Sequence, residues 1–197
     1  MKFQIRFFVA ILLIASCSVN PFNSYSKKTL KLTDEIIYSP YAMQKISIND
    51  QPEDLMLLNQ VDQNYFKWSH DDLRLISKNG KIVKTYGLDN DFELNYYRGF
   101  SNLEMSVGLI RFKNPESDFL EIYFSYKVIE NGLMQKIIDK SSFTYTLIEE
   151  SFDVPKIKWS GRNLYWIDEE GYIWKSRQTL NPYGDRINIE TLKKYSD

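Results

Sequence analysis

The sequence predicts a mainly β protein, an antiparallel β-sandwich or partly closed barrel with a short N-terminal helix. Short runs of alternating apolar and polar residues, rich in β-branched and aromatic side chains, follow one another from Pro40 to about Trp174. Turn signals separate these runs, the strongest being Asn79-Gly80 and the stretch that ends at Gly171. No repeat or composition shift divides them, so we expect a single β-rich domain over residues 27–197.

The first residues have the pattern of a secretory signal peptide, which we place at 1–16. Lys2 and Arg6 precede an apolar run over 7–15, which is far shorter than the roughly 20 residues that a membrane-spanning helix needs. The tetrapeptide Ile14-Ala15-Ser16-Cys17 is similar to the lipobox of bacterial lipoproteins. This similarity implies cleavage before Cys17 and lipid attached to its sulfur. The alternative is an ordinary secreted protein cleaved near Ser16.

Cysteine usage favours the lipoprotein interpretation. Cys17 is the only cysteine, so a disulfide within the chain is impossible, and a lone thiol at this position is best explained as the lipid carrier. Residues 17–26 are polar and rich in turn formers, which predicts a lipidated tether. The common sorting rule sends a lipoprotein to the outer membrane when the residue after the cysteine is not Asp. That residue here is Ser18, so we expect an outer-membrane anchor with the domain facing the periplasm. The membrane is thus the first expected partner.

The helix is predicted within residues 27–38, where Ile36 and Ile37 lie among lysine and glutamate with no glycine or proline before Pro40. The stretch 87–101 has no clear period and is predicted to be a long irregular loop. The alternation predicts strands at 42–48, 54–60, 65–68, 73–77, 81–86, 105–112, 119–129 and 142–149, followed by a β-hairpin over 163–178.

The hairpin over 163–178 organises the predicted sheet. Asp168 and Gly171 fit the first and fourth positions of a type I turn, and Gly171 is turn-critical because it would adopt the left-handed conformation. Pairing Asp168 with Tyr172 then places Trp166 opposite Trp174, so two indoles would meet on one face. In this register Leu164 lies opposite Ser176, and the other face carries Tyr165, Ile167, Ile173 and Lys175.

Asn79-Gly80 is the second hairpin signal, and Gly80 is its turn-critical residue. A two-residue turn would pair Ile76 with Val83, whereas a bulged turn would pair Ile76 with Ile82. We prefer the bulged turn because it keeps the apolar pairs on common faces.

Charge and residue usage exclude several functional classes. A formal charge of −1 with no basic run gives no electrostatic footprint for nucleic acid. His70 is the only histidine and stands beside Asp71-Asp72 in an expected polar turn, so no metal cluster is predicted. The sequence has neither a nucleophile elbow nor a glycine-rich phosphate or dinucleotide loop, and we expect no cofactor.

Paired carboxylates are the remaining route to catalysis, because a glycosidase needs only two acids across a cleft. The candidates are Asp168, Glu169 and Glu170, or Glu149 and Glu150. The first group is expected to be solvated at a hairpin tip, and the second to end a strand. No catalytic constellation is predicted, so the protein is not expected to be an enzyme.

Three indoles are candidate glycan contacts: Trp68, Trp166 and Trp174. Most large aromatic side chains in a chain of this size belong to the core. We therefore expect Trp166 and Trp174 to be framework residues, with glycan stacking as the alternative. Burial would favour the first interpretation, and exposure in a row the second.

A set of short motifs lies in a fixed order along the chain: Tyr41-Ala42, Asn79-Gly80-Lys81-Ile82-Val83-Lys84-Thr85, Gly87-Leu88, Asp91, Leu147-Ile148-Glu149-Glu150, Asn163, Tyr165-Trp166, Asp168, Gly171, Trp174, Ser176, Gln178, Pro182, Ile189-Glu190 and Leu192-Lys193. In order and spacing this set resembles the YjbF family of bacterial lipoproteins, also called the group 4 capsule polysaccharide lipoprotein family. Lys81 and Lys84 stand where the resemblance leads us to expect arginine, and lysine lacks the planar fork for bidentate contacts.

The resemblance implies a β-rich envelope protein encoded with exopolysaccharide or capsule secretion machinery, with no established catalytic residues. The leading hypothesis is a non-enzymatic accessory of polysaccharide export or assembly, with polysaccharide or other export proteins as partners. The alternatives are a periplasmic glycan-binding module and a glycan-processing enzyme with paired carboxylates.

Overall fold

A computed structural model describes residues 34–96, 105–113, 116–179, 181–183 and 185–195. The predicted signal peptide, Cys17 and the tether lie outside the described residues, as do residues 27–33 of the predicted helical segment. The rest of that segment contains one short helix, α1 (Asp34–Tyr38). No helix among the described residues is long and apolar enough to span a bilayer.

Strands account for most of the described chain, and their side chains alternate between the two faces of the sheet. A short 3-10 turn, Pro155–Ile157, joins the ninth strand to the tenth. The described strands are β1 (Met43–Ile48), β2 (Asp54–Asp62), β3 (Tyr65–His70), β4 (Leu73–Lys78), β5 (Lys81–Tyr86), β6 (Phe92–Tyr96), β7 (Ser106–Phe112), β8 (Leu120–Gln135), β9 (Ser142–Val154), β10 (Trp159–Asp168), β11 (Ile173–Thr179) and β12 (Arg186–Lys193).

The twelve strands of the described residues form one closed antiparallel barrel. Each strand pairs with the next in the sequence, and β12 returns to pair with β1, from Lys193 opposite Met43 to Ile187 opposite Ile48. The mainly β prediction is confirmed, but the β-sandwich alternative is wrong and the barrel is fully rather than partly closed. Closure depends on β12, which lies beyond the last predicted strand.

β6 lies inside the stretch predicted to be an irregular loop, and that prediction is wrong over these residues. Phe92 and Leu94 are buried, and β6 pairs along its length with β7. Tertiary packing therefore gives this short segment its strand conformation, because strand formation depends on the neighbours that a residue packs against.

The barrel interior contains a large apolar cluster and a smaller one. The smaller cluster consists of Ile148, Tyr165, Ile167 and Ile173. Along β9 the inward side chains change from Ile148 to Glu150 and then to Phe152, which belongs to the large cluster. Polar residues thus separate the two clusters, and buried polar groups of this kind require hydrogen-bond partners.

Candidate functional site

The β10–β11 turn has the predicted geometry. The Gly171 N–H donates to the Asp168 carbonyl and the Asp168 N–H donates to the Tyr172 carbonyl, each at 3.0 Å, and Gly171 has a φ of +84°. The Asp168 carboxylate accepts hydrogen bonds from the N–H groups of Glu170 (3.0 Å) and Tyr172 (2.8 Å) and from the Trp174 indole (2.8 Å). Asp168 therefore stabilises the turn and orients Trp174.

The register beyond this turn differs from the prediction. Ile167 lies opposite Ile173, but Trp166 lies opposite Lys175 because β11 has a β-bulge at Trp174. The predicted pairing of Trp166 with Trp174 is therefore wrong, and so is the register that followed from it. Leu164 lies opposite Arg177 rather than Ser176.

The bulge has a clear physical reason. Strict alternation from Ile173 would turn Lys175 and Arg177 into the barrel, and burial of unpaired cations is costly. The bulge turns Ser176 and Gln178 inward instead, and both are buried. The sequence of β11 therefore favours the shifted register.

Trp174 is a packed side chain with only 8% of its surface exposed. Its ring centroid lies 5.1 Å from that of Phe143 and 5.2 Å from that of Tyr172. The Lys136 ammonium lies 4.8 Å from the Trp174 ring, within range of a cation–π interaction. These contacts support a framework role.

The other two candidate indoles have different surroundings. Trp68 is 4% exposed, and its N–H donates to the Ser77 hydroxyl at 3.1 Å. Trp166 is half-buried, with the Lys175 ammonium 5.5 Å from its ring. Trp68, Trp166 and Trp174 therefore do not form an exposed row, and glycan contact by these residues stays a prediction.

The β4–β5 connection is a two-residue turn. Asn79 and Gly80 both have positive φ, +51° and +74°, and Lys78 lies opposite Lys81. The preferred bulged turn is therefore wrong. A bulge lies farther along β5, so Ile76 lies opposite Lys84 rather than Val83 or Ile82. A Cβ on Gly80 would lie 2.8 Å from the Ile173 side chain, so this turn is pressed against β11. Both hairpin turns consequently meet at one end of the barrel.

A network of buried polar residues lies inside the barrel next to this end. The Lys81 ammonium donates to the Glu150 carboxylate, and the two residues are 3% and 0% exposed. Lys81 also donates to the Tyr126 hydroxyl at 3.0 Å. Its Nζ lies 4.6 Å from the Tyr126 ring, 5.5 Å from that of Tyr165 and 5.9 Å from that of Phe124. The ion pair is thus enclosed by aromatic rings.

Neutral side chains complete the network. The Glu150 carboxylate accepts hydrogen bonds from the Asn163 amide (2.9 Å) and the Tyr165 hydroxyl (3.0 Å). Gln178 accepts from a backbone N–H of β5 at 3.0 Å and donates to the Ser176 hydroxyl at 2.9 Å. A connected network of this kind favours one arrangement of the surrounding side chains.

Burial dominates the electrostatics of this network. It lowers the pKa of the Lys81 ammonium, whereas the charge and hydrogen bond of Glu150 oppose that change. Burial also raises the pKa of the Tyr126 phenol, and the Glu150 charge adds to the effect. Because Lys81 and Glu150 compensate each other's charge, the network fits a structural role.

Sequence reasoning missed this network because it placed Glu150 at the end of a strand. Glu150 instead occupies an inward position between Ile148 and Phe152 of β9. A signal was available, because six network residues are among those that carry the family resemblance: Lys81, Glu150, Asn163, Tyr165, Ser176 and Gln178.

Of the candidate carboxylates, Glu149 and Glu150 do not converge, whereas Asp168, Glu169 and Glu170 all line the pocket beside Trp174, where Asp168 is engaged with the turn and the indole. Glu149 lies on the outer wall, where its carboxylate is 3.6 Å from the Arg162 guanidinium, whereas Glu150 points into the barrel. Successive residues of a strand face opposite sides, so these two acids cannot act on one bond. Glu170 at the turn pairs with Lys194 at 2.8 Å.

His70 lies at the β3–β4 turn, with its Nε2 3.8 Å from the Asp54 carboxylate and 3.5 Å from that of Asp71. Within the described ranges, no group of three His, Cys, Asp or Glu residues is arranged to hold a metal ion.

Two pockets open at the end of the barrel where the turns meet. The outer pocket, about 650 Å³, is bounded by Trp174, Phe143, Lys136 and Ile37 of α1. The mouth pocket, about 500 Å³, has Trp68 in its wall and is lined by residues of β1, β3, β4 and β11. Both volumes lie in the range of small-molecule sites, roughly 300–1,000 Å³.

The fold and the site define a class of protein: a small closed antiparallel barrel with a charge-compensated polar layer in its core and ligand-sized pockets at one end. A model of the family described as "Group 4 capsule polysaccharide lipoprotein gfcB, YjbF" matches residues 22–192. The chain therefore belongs to the YjbF family of group 4 capsule polysaccharide lipoproteins, which is not a known enzyme family, and the resemblance is confirmed.

Two similar proteins come from Escherichia coli strain K12. Uncharacterized lipoprotein YjbF is 24% identical over 165 residues, which is 77% of this chain and 75% of that protein. The crystal structure of the hypothetical lipoprotein YmcC superposes with a TM-score of 0.68 at 17% identity, covering 80% of this chain and 86% of that one. The second similarity shows that the fold is shared.

Proposed function

We propose that this protein is a non-enzymatic accessory of capsule or exopolysaccharide export or assembly. The observation that carries the proposal is the match of residues 22–192 to the group 4 capsule polysaccharide lipoproteins. Its expected partners are the polysaccharide or other export proteins, and the membrane through a lipid anchor.

The non-enzymatic role is supported by the geometry of the acidic residues. Asp168 uses its carboxylate to hold a turn, and Glu149 and Glu150 face opposite sides of the barrel wall. The buried Glu150 is compensated by Lys81. Asp168, Glu149 and Glu150 therefore each have a structural partner, which fits an accessory better than a glycosidase with two acids across a cleft.

The anchor is proposed to be lipid on Cys17, in the outer membrane, with the barrel in the periplasm. No other residue can carry the thioether, because the chain has one cysteine. Cys17→Ser should therefore abolish incorporation of labelled palmitate and leave uncleaved precursor or released protein. Retention of a mature, cleaved Cys17→Ser protein in the outer membrane would contradict this assignment.

The role in export is tested by deletion and complementation. Loss of the gene should lower the amount of polysaccharide at the cell surface, and the wild-type chain should restore it. Cys17→Ser, expressed at the same level, should restore it poorly because the barrel is not held at the membrane. Surface polysaccharide that is unchanged by the deletion would overturn the proposal.

A periplasmic glycan-binding module is the second candidate function. The observation that favours it is the mouth pocket, whose lining combines aromatic rings and amides.

A further inference from the structure

The mouth pocket has the position and size of a ligand site. It lies where three tight turns meet: β2–β3 at Gln63 and Asn64, β4–β5 at Asn79 and Gly80, and β10–β11 at Gly171. The mouths of β-barrels are common positions for ligand sites, and about 500 Å³ is a usual volume for one. The residues of its wall therefore indicate the chemistry of the ligand.

Aromatic side chains form the apolar part of the wall. Phe66 and Tyr195 meet edge to face with ring centroids 6.1 Å apart, and Tyr195 is exposed at the rim. Trp68 and Tyr172 lie deeper in the same pocket. Such rings offer apolar surface to a ligand, and the Tyr172 hydroxyl donates to that of Thr191 at 3.4 Å.

The polar part of the wall consists mainly of amides, which both donate and accept hydrogen bonds. Its two charged residues, Glu170 and Lys194, pair with each other at 2.8 Å. The wall therefore suits a neutral ligand better than an anion. The amides are those of Gln44, Gln63, Asn64 and Asn79.

Gln44 is the most informative of these amides. It is 8% exposed, and its side-chain amide has no hydrogen-bond partner in the part of the chain that the structure describes. The other buried amides of that part, Asn163, Gln178 and Asn181, each both donate and accept within the fold. Among the described residues only Arg186 Nε is a fully buried side-chain atom without a partner, so the polar atoms of Gln44 are accessible from the pocket that it lines. A ligand in this pocket can therefore hydrogen-bond to the Gln44 amide.

We propose that the mouth pocket binds a neutral saccharide segment and that the Gln44 amide hydrogen-bonds to hydroxyl groups of this ligand. A sugar ring has an apolar face for the aromatic wall and hydroxyls that both donate and accept, as the amides do. An acyl chain would leave Gln44 without a partner, and an anion would have to displace Glu170 from Lys194. The choice of polymer rests on the proposed function: the segment belongs to the polysaccharide that the producing cell exports.

The test uses the full lipoprotein in lipid nanodiscs and titration calorimetry, with empty nanodiscs as the blank. The probe is a set of oligosaccharides released by partial hydrolysis from the strain's own surface polysaccharide, with inorganic phosphate and palmitate as comparison ligands. Gln44→Met removes both hydrogen-bonding atoms at similar volume. Gln51→Met, an exposed glutamine beyond the other end of β1, is the matched control.

Binding of the oligosaccharides should weaken about tenfold in Gln44→Met, as expected for the loss of one or two hydrogen bonds, and remain unchanged in Gln51→Met. The Tm of Gln44→Met should be equal to or above that of the wild type, because the buried amide has no partner to lose. Tyr195→Ala is a second variant at the rim, and it should weaken binding several-fold with little effect on folding.

Three results would overturn the inference: no binding of the oligosaccharides, tighter binding of palmitate or phosphate, or equal affinity in Gln44→Met and Gln51→Met. A lower Tm with unchanged affinity would show that Gln44 is structural. These outcomes are distinct from failure of the proposed function, which the deletion phenotype measures without reference to the pocket.

Discussion

Removal of one partner from the Lys81–Glu150 pair should strongly destabilise the barrel. Lys81→Met removes the charge at similar volume and so breaks the buried ion pair with Glu150, which is 0% exposed. Breaking a buried pair in this way costs about 3–5 kcal/mol. Glu150 would keep its hydrogen bonds from Asn163 and Tyr165, so we expect the loss of stability to lie near the lower end of this range. A loss of about 3 kcal/mol corresponds to a fall in Tm of roughly 6–12 °C for a domain of this size.

Lys84→Met is a matched control on the same strand. Lys84 lies 3.1 Å from Glu93, and both side chains are partly exposed. Solvent-accessible ion pairs of this type contribute under about 1 kcal/mol. The difference between the two lysine variants therefore measures the effect of burial on a similar pair.

The assay is urea unfolding of the wild type, Lys81→Met, Glu150→Gln and the double variant. Because the double variant removes both buried charges, its loss of stability should be smaller than the sum of the single losses by about 2 kcal/mol or more. Additive losses, or a Lys81→Met protein as stable as Lys84→Met, would refute the reasoning.

Three further changes test the turn, the framework indole and the acid dependence. Gly171→Val should lower stability by about 1–3 kcal/mol in thermal unfolding because φ is +84° at this residue. A Cβ there would meet nothing within 4 Å, so the loss would come from the backbone conformation alone, and Gly171→Asn should be milder. Trp174→Ala should cost about 3–5 kcal/mol in the same assay, more than Trp166→Ala at the half-buried site, and equal losses would contradict the framework assignment. Burial raises the pKa of Glu93, but hydrogen bonds from Arg111 and Lys84 outweigh it and hold the pKa below its ordinary value of 4.5. The carboxylate therefore contributes stability above about pH 4.5 that is lost as the pH falls through the lower, folded-state pKa, and urea unfolding of Glu93→Gln should show a flatter acid limb.

Local patterns predicted the strand content of this chain but not how the sheet closes. Alternation and turn residues are local signals, so most strands and both glycine turns could be placed from the sequence. The pairing of β1 with β12 joins Met43 to Lys193, and no local pattern reports a contact over that separation. For the same reason β6, whose strand conformation depends on pairing with β7, was predicted to be a loop.

The sequence indicates which residue types could form the candidate site, but it does not indicate which of these residues are buried. Tryptophans were selected because indoles can stack on sugars, yet Trp68 and Trp174 are packed into the protein. The informative residue of the mouth pocket is Gln44, which resembles any other strand glutamine until its surroundings are known. A missing hydrogen bond is a property of the folded arrangement, and single-sequence patterns do not report it.

The seam between β1 and β12 determines when the barrel can form. Until the chain has been synthesised beyond Arg186, the seam cannot form and its loop-closure entropy has not yet been lost. During that time β12 is absent, and the edges of β1 and β11 have no partner strand. Unpaired edges of this kind promote association with other chains. The seam joins β1 to β12, which are far apart in the sequence, so this one pairing makes a large contribution to the contact order, and we expect slow folding. β12 thus covers two edges at once, and the chain stays vulnerable to aggregation until β12 has been made.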